Sequence, residues 1–457
     1  MSAHREQLHR GLEERHIKLM ALGTAIGVGL FLGSATAIRI AGPAILLSYL
    51  VAGLAIYVIM RALGQMAVVN PVAGSFSRYA QDYISPMTGY ITGWNYCFQA
   101  LLGAMAETVA VGIYMHLWFP EVPTWIWALL AVALVGVINR MAVKAYGEFE
   151  FWFAMIKVVT IVLMIIVGGC VIVFGLGNGG VATGISNLWT HGGWMPNGFS
   201  GVLLALPIVM FAYQGIEMLG VTAGEARDPE RSLARAVNSV FWRVVVFYVG
   251  TLFVILSIYP WNEIGTTGSP FVLTFEKLGI RSAAGIINFV VLTAALSACN
   301  SNLYGSSRLI YNLAAQKQAP QWLGRLSTAG VPANAVALAV VCLLLGVVLN
   351  YVAPEQVFIW LSAVSTFGAI WTWGVILLSH YRFRKQTQKG RTPRGFPLDS
   401  LVAGLFLALV LGLIAWQPET RLAAVIGPCW LVMLAVCYGL FVRKRNGKPV
   451  SASFSAD

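Results

Sequence analysis

Hydrophobic positions in this chain gather into long blocks separated by short polar stretches. Twelve blocks are long enough to cross a bilayer as helices, which takes about 20 residues each. They lie near 17–38, 43–66, 86–116, 124–143, 151–174, 199–223, 240–260, 282–314, 332–351, 355–380, 401–416 and 422–442. A buried core helix explains one such run, not twelve in series. Two blocks are interrupted at their middles by polar or glycine-rich backbone. One carries Gly23-Thr24-Ala25-Ile26-Gly27-Val28-Gly29, the other Phe211-Ala212-Tyr213-Gln214-Gly215-Ile216-Glu217. In lipid a spanning helix must satisfy its own backbone, so a break is tolerated only where the freed groups line a cavity. A matched pair of breaks therefore marks a binding site near the bilayer midplane of a transporter.

The breaks fall in spans one and six, the places that two five-helix repeats of opposite orientation would give. The fold expected is an all-α membrane protein with 12 transmembrane helices. It comprises a 5+5 inverted repeat with helices 1 and 6 discontinuous, plus two accessory helices. The expected divisions are a tail over 1–16, repeats over 17–174 and 199–380, a linker over 381–400, accessory helices over 401–442 and a second tail over 443–457.

Composition agrees with a membrane chain: 58% of the 457 residues are hydrophobic and 11% charged. A soluble chain carries about 25% charged residues. Basic residues then set the orientation. Of the 30 lysines and arginines, Arg39, Lys277, Arg281 and Arg421 fall on outer loops and Arg61 and Lys157 within spans. The others fall on the inner side, which puts both termini in the cytoplasm. The net charge of +12 is thus a topology signal, and no nucleic acid partner is implied. The polar start lacks a small-residue cleavage site, so no removable signal peptide is expected. The six cysteines sit within spans at irregular spacing. His191 lies in an outer loop, and His116 and His380 near span ends, so no disulfide framework, metal site or cofactor is indicated.

The chemistry of the breaks suits a zwitterion. Gly27 and Gly29 let backbone approach a ligand without a Cβ, and the half-helix starting there offers free N–H groups and a positive dipole end. The amides of Gly27, Val28 and Gly29 are expected to take a carboxylate. Carbonyls of Thr24, Ala25, Phe211 and Gln214 remain for an ammonium, with Ala212 and Gly215 completing the second break. Close packing through small residues is the competing reading of the glycines. Phe211 and Tyr213 either gate the site or pack between helices. Ionisable groups inside spans are costly and call for a partner or a task. Glu107 either faces the pocket or pairs structurally. Glu217 either carries a proton or caps the broken helix. Lys157 either acts inside the site or snorkels to the inner surface. Asn302, in the polar triplet Asn300-Ser301-Asn302 of span eight, contacts a ligand or bonds another helix.

Several stretches resemble one family. They are Gly23–Phe31 with Ala41-Gly42-Pro43, Arg61-Ala62-Leu63-Gly64, Gly74-Ser75-Phe76 and Tyr79-Ala80. Glu148-Phe149-Glu150-Phe151-Trp152 with Lys157, Gly215 to Pro229, and Gly268-Ser269-Pro270-Phe271-Val272 extend the likeness. Together they resemble bacterial amino acid permeases of the amino acid–polyamine–organocation superfamily, nearest to proline, histidine and threonine/serine permeases, over about Gly11 to Arg445. The resemblance implies the leucine-transporter fold and proton-coupled uptake of a neutral L-amino acid across the cytoplasmic (inner) membrane. It makes Phe211 the gate and Asn302 a side-chain contact. It also implies that the Lys157 ammonium stands where sodium-coupled relatives hold a cation between spans one, five and eight, reaching carbonyls near Gly23, or Ser297 or Ser301. Cationic or aromatic substrates, or amino acid exchange, are the alternatives.

Other classes fit less well. No intramembrane catalytic set is present for an enzyme, no GxxxxGK[ST] for an ATP-driven pump, no repeated filter segment for a pore, and the tail after Tyr438 is short for a sensor's output domain.

Overall fold

The computed structural model describes residues 26–70, 72, 74–141, 143–176, 178–217, 241–242, 244–265, 268–277, 281–328, 330–387 and 397–443. Among these every regular element is helical. In chain order they begin with the short α1 (Val28–Phe31), α2 (Gly33–Ala41), α3 (Ile45–Val69), α4 (Ser75–Tyr83), α5 (Pro86–His116), α6 (Thr124–Ile138) and α7 (Val143–Phe174). After an irregular outer segment come α8 (Gly198–Leu204), α9 (Leu206–Ala212), α10 (Thr251–Ile258), α11 (Pro270–Lys277) and α12 (Arg281–Ala315). The last four are α13 (Ala333–Val352), α14 (Val357–Thr387), α15 (Leu398–Trp416) and α16 (Ala423–Cys437). A π-helical stretch, Val244–Gly250, leads into α10, and another, Tyr438–Val442, continues α16.

Eight helical stretches are long and apolar enough to cross a membrane, and three shorter apolar ones accompany them: Thr124–Ile138, Gly198–Ala212 and Val244–Ile258. The blocks read from the sequence are thus mostly helical where they are described, the two breaks apart. The structure merges two of them. Gly33–Val69 is a single helical run, turned by a tight Gly42–Ala44 corner. There Gly42 has φ 62°, and a Cβ on it would lie 2.4 Å from Cγ of Pro196. Only glycine takes this backbone in so close a space. The corner replaces the loop expected between spans one and two. The α5 start follows a standard cap. The Ser85 hydroxyl accepts from the Thr88 amide at 3.1 Å, with proline at the first helical position, where no partner for its nitrogen is needed.

Both expected breaks are visible in part. Residues 26 and 27 precede α1 without helical structure, and Leu32 separates α1 from α2. At the other break α9 ends at Ala212, and 213–217 form turns, with Gly215 at φ 90°. The two meet closely: a Cβ on Gly29 would lie 2.4 Å from Cα of Ala212.

Burial orders the layers. In the most apolar windows of α5 and α14, 89% and 83% of residues are buried, against 22% and 17% for Leu398–Trp416 and Ala423–Val442. The first two helices form the centre and the last two the periphery. On the side where α3, α14 and α15 meet, Gln65 Oε1 accepts from Nη2 of Arg384 at 2.9 Å and bonds Nε2 of His380 at 2.8 Å. Arg61 there lies 3.9 Å from Asp399.

Candidate functional site

A cavity opens where the two breaks face α5 and α12. Gly27 and Gly29 line it from the first break, and Phe211, Ala212, Gln214, Gly215 and Glu217 from the second. From α5 come Tyr96, Gln99, Ala100, Gly103 and Glu107; from α12, Ala298, Ser301 and Asn302. Its volume is about 40 Å³, room for about three waters.

At the first break Gly27 is extended, with φ −135° and ψ −164°, and α1 begins after it. The Val28 amide is therefore one of the helix's orphan donors. The carboxylate of buried Glu107 takes it, accepting at 3.3 Å with each oxygen. A Cβ on Gly27 would come within 2.6 Å of Glu107 Oε1, so this glycine admits the carboxylate. Thr24 and Ala25, like Gly23, lie outside the described residues. At Gly29 the nearest neighbour is the Ala212 backbone; at Gly27 it is an ionisable side chain.

At the second break Glu217 is 1% exposed and collects donors. Its Oε1 accepts from the Gly215 amide at 3.3 Å and from Gln99 Nε2 at 3.2 Å. Its Oε2 accepts from the Trp373 indole at 3.4 Å. Gln99 in turn accepts from the Thr372 hydroxyl at 2.8 Å. Thus α5 and α14 clamp the turn, and a carboxylate here does the work of a cap. Gln214 is held likewise: Ser365 donates to its Oε1 at 2.7 Å, and its Nε2 donates to Thr366 at 3.2 Å.

The two aromatics part company. Phe211 lines the cavity, with its ring edge-on to Phe358 at 6.0 Å. Tyr213 is fully buried away from it, between Tyr49 and Tyr248. Its hydroxyl donates to the Tyr49 carbonyl at 2.7 Å, the packing alternative of the sequence reading. Asn302 faces the cavity from α12, where its amide stands 3.4 Å from the position a Cβ on Gly103 would take.

Lys157 lies outside the cavity wall. Its side chain is 0% exposed, so it does not snorkel to the protein surface. The charges that act on it are Glu150 first and Glu107 second. Ser297, one of the partners expected for the ammonium, donates its hydroxyl to Glu150 Oε1 at 2.7 Å.

Sequence reasoning missed Tyr96, Gln99, Ala100, Gly103, Ala298 and Ser301 as wall residues. A helix buried all round gives no amphipathic stripe by which to tell its cavity side. It also passed over buried Glu150, although a carboxylate beside an apolar run was signal enough. Among the described residues no cluster of His, Cys, Asp and Glu could hold a metal ion.

Comparison with known proteins follows the same lines. Residues 16–421 match the model of the family described as "Amino acid permease". The chain is 59% identical over 459 residues, 99% of each chain, to the "Uncharacterized amino acid permease YtnA" of Bacillus subtilis. It is 46% identical, again over 99% of both, to the "Probable threonine/serine transporter YbxG" of the same organism. To the "Aromatic amino acid transport protein AroP" of Escherichia coli it is 43% identical over 98% of both.

Proposed function

The chain belongs to the amino acid permease family, a multi-pass inner-membrane transporter and not an enzyme, and from that premise we propose that it takes up a small neutral L-amino acid together with protons. The observation that carries the proposal is the cavity between the two broken helices, with orphan amides at one break and a carboxylate-capped turn at the other. The substrate α-carboxylate binds at the amides of Gly27, Val28 and Gly29, where Glu107 now accepts from Val28. The ammonium goes to carbonyls of Thr24, Ala25, Phe211 and Gln214. Phe211 covers the bound molecule, and Asn302, Glu107 and Gln214 read its side chain.

Threonine and serine are the favoured substrates, ahead of proline and histidine. A relative 46% identical is named as a probable threonine/serine transporter. A polar substrate hydroxyl also gives the Asn302 amide a partner. An aromatic side chain needs the Phe211 wall to move.

Coupling rests on Lys157. A buried ammonium between carboxylates is a charge the interior tolerates only with partners. Losing its proton weakens its hold on the carboxylates either side. Glu217 shares in coupling through shape: protonating it removes an acceptor from Gly215, Gln99 or Trp373 and loosens the second break. The arrangement fits twelve spans in a 5+5+2 order, with α15 and α16 as the accessory pair and both termini cytoplasmic.

The test is uptake of labelled L-threonine into proteoliposomes holding purified protein, in sodium-free buffer. An inward proton gradient should drive accumulation at least tenfold over the outer concentration. Uptake that persists unchanged after the gradient is collapsed overturns the coupling, and absence of uptake for all twenty amino acids overturns the transport reading.

A further inference from the structure

We propose that Glu150 is the acceptor to which the Lys157 ammonium hands its proton on the way out of the site, which rests on the coupling reading above. Both residues stand on α7, seven positions apart. That is nearly two helical turns, so they share a face, separated by about 10 Å of rise. Helical side chains lean toward the N-terminus of their helix, a tilt that both residues share, so only the length of the lysine chain shortens the gap. Both side chains are completely buried. Glu150 is moreover the leading charge acting on Lys157.

The carboxylate is only half satisfied. Oε1 accepts from Ser297 at 2.7 Å, while Oε2 is buried with no hydrogen-bond partner. A buried acceptor left unpaired is costly and calls for an explanation. If Glu150 served only to tie α7 to α12, a glutamine would accept from Ser297 equally well and avoid burying a charge. Other ionisable groups around α7 do not supply the missing partner. Among the described residues α10 carries none, Tyr248 of the π-helical stretch donates to the Ala212 carbonyl at 3.0 Å, and α12 presents the Ser297 hydroxyl. Glu107, Lys157 and Glu150 are all buried. In the step itself an N–H bond of the ammonium breaks and an O–H bond forms on Glu150 Oε2. A water in the gap can take one proton and release another. The products are a neutral amine and a carboxylic acid, and atoms and charge balance.

Glu150→Gln and Glu150→Asp, purified and reconstituted, test the step with labelled L-threonine and a pH-indicating dye inside the vesicles. Two rates are read: exchange of internal for external threonine without a gradient, and accumulation driven by a proton gradient. For E150Q we expect exchange within about twofold of the wild type. Gradient-driven accumulation should fall at least tenfold, and its rise on acidifying the outside should be lost. E150D, which keeps a carboxylate, should recover a substantial part of both. Wild-type-like accumulation and pH profile in E150Q overturn the relay while leaving the coupling reading intact. Equal loss of exchange and accumulation in both variants makes Glu150 a structural tie and also overturns it. If the wild type itself accumulates threonine without regard to the gradient, the coupling reading fails first and the relay falls with it.

Discussion

Two glycines of the first break, each crowded by a different neighbour, carry different duties. At Gly29 an added methyl meets the Ala212 backbone at 2.4 Å, which cannot yield without separating the broken helices. At Gly27 it meets the end of a flexible glutamate at 2.6 Å. Gly29→Ala is therefore expected to lower thermal stability in detergent, by about 1–3 kcal/mol on the scale of overpacked cores. Gly27→Ala should remain near wild-type stability yet bind substrate at least tenfold more weakly, as read by calorimetry on both proteins. Equal melting temperatures for the two variants would show the glycines to be equivalent. Asn302 calls for a different readout. A buried polar group whose partner is lost is penalised by about 1–3 kcal/mol, so Asn302→Ala should change the ranking of threonine against valine in competition assays. If all substrates weaken by one factor, Asn302 has no part in reading side chains.

The second broken helix separates its aromatics by where its last turn ends. Phe211 sits within α9 and reaches the cavity. Tyr213 follows its end and turns into the packing with Tyr49 and Tyr248. Tyr213→Phe, which removes a second bond to a carbonyl already paired within its own helix, is expected to lower stability by about 0.5–1.5 kcal/mol with substrate ranking unchanged. Phe211→Ala should raise KM and admit larger side chains. Selectivity measured on both variants against melting temperature checks the division; altered ranking in Tyr213→Phe would refute it. The breaks themselves were legible, because glycine and polar residues stand out in an apolar run. So was Glu107, by its charge alone. Which of two neighbouring aromatics faces the cavity was not, since a shift of one residue in the helix end turns a side chain by about 100°. Nor was the corner at Gly42. Its sequence, Gly42 followed by Pro43, marks a turn, but only the contact with Pro196 shows that no loop intervenes. Tyr96 and Gln99 stayed hidden because α5 is packed on every side.

At the scale of the whole molecule, the helices buried most are those that build the cavity. The central α5 supplies Glu107 and Gln99, and α14 grips the second break through Trp373, Thr372 and Thr366. The outer pair α15 and α16 packs on the outside of this centre, with Phe98 of α5 stacked on Trp430 of α16 at 4.4 Å, and Asp399 at the start of α15 lies 3.9 Å from Arg61. That bridge is partly exposed, and such pairs contribute about 0–1 kcal/mol. Asp399→Ala is accordingly expected to leave uptake within about twofold and melting within a few degrees. A larger loss of uptake would make the outer pair part of the transport machinery. Orientation has its own check. Epitope tags at both ends should be cut by protease in inside-out vesicles and protected in right-side-out ones; the opposite pattern at either end overturns the assignment of the charged side.

The contact between Glu107 and the Val28 amide carries a consequence for amines. Decarboxylation turns an amino acid into a molecule with the same side chain and ammonium but no anion. Such a molecule brings nothing to the Val28 amide that would dislodge the glutamate. Ethanolamine should therefore fail to compete with threonine even at concentrations where serine does, so the protein would tell a nutrient from its decarboxylated product at the backbone and not at the side chain.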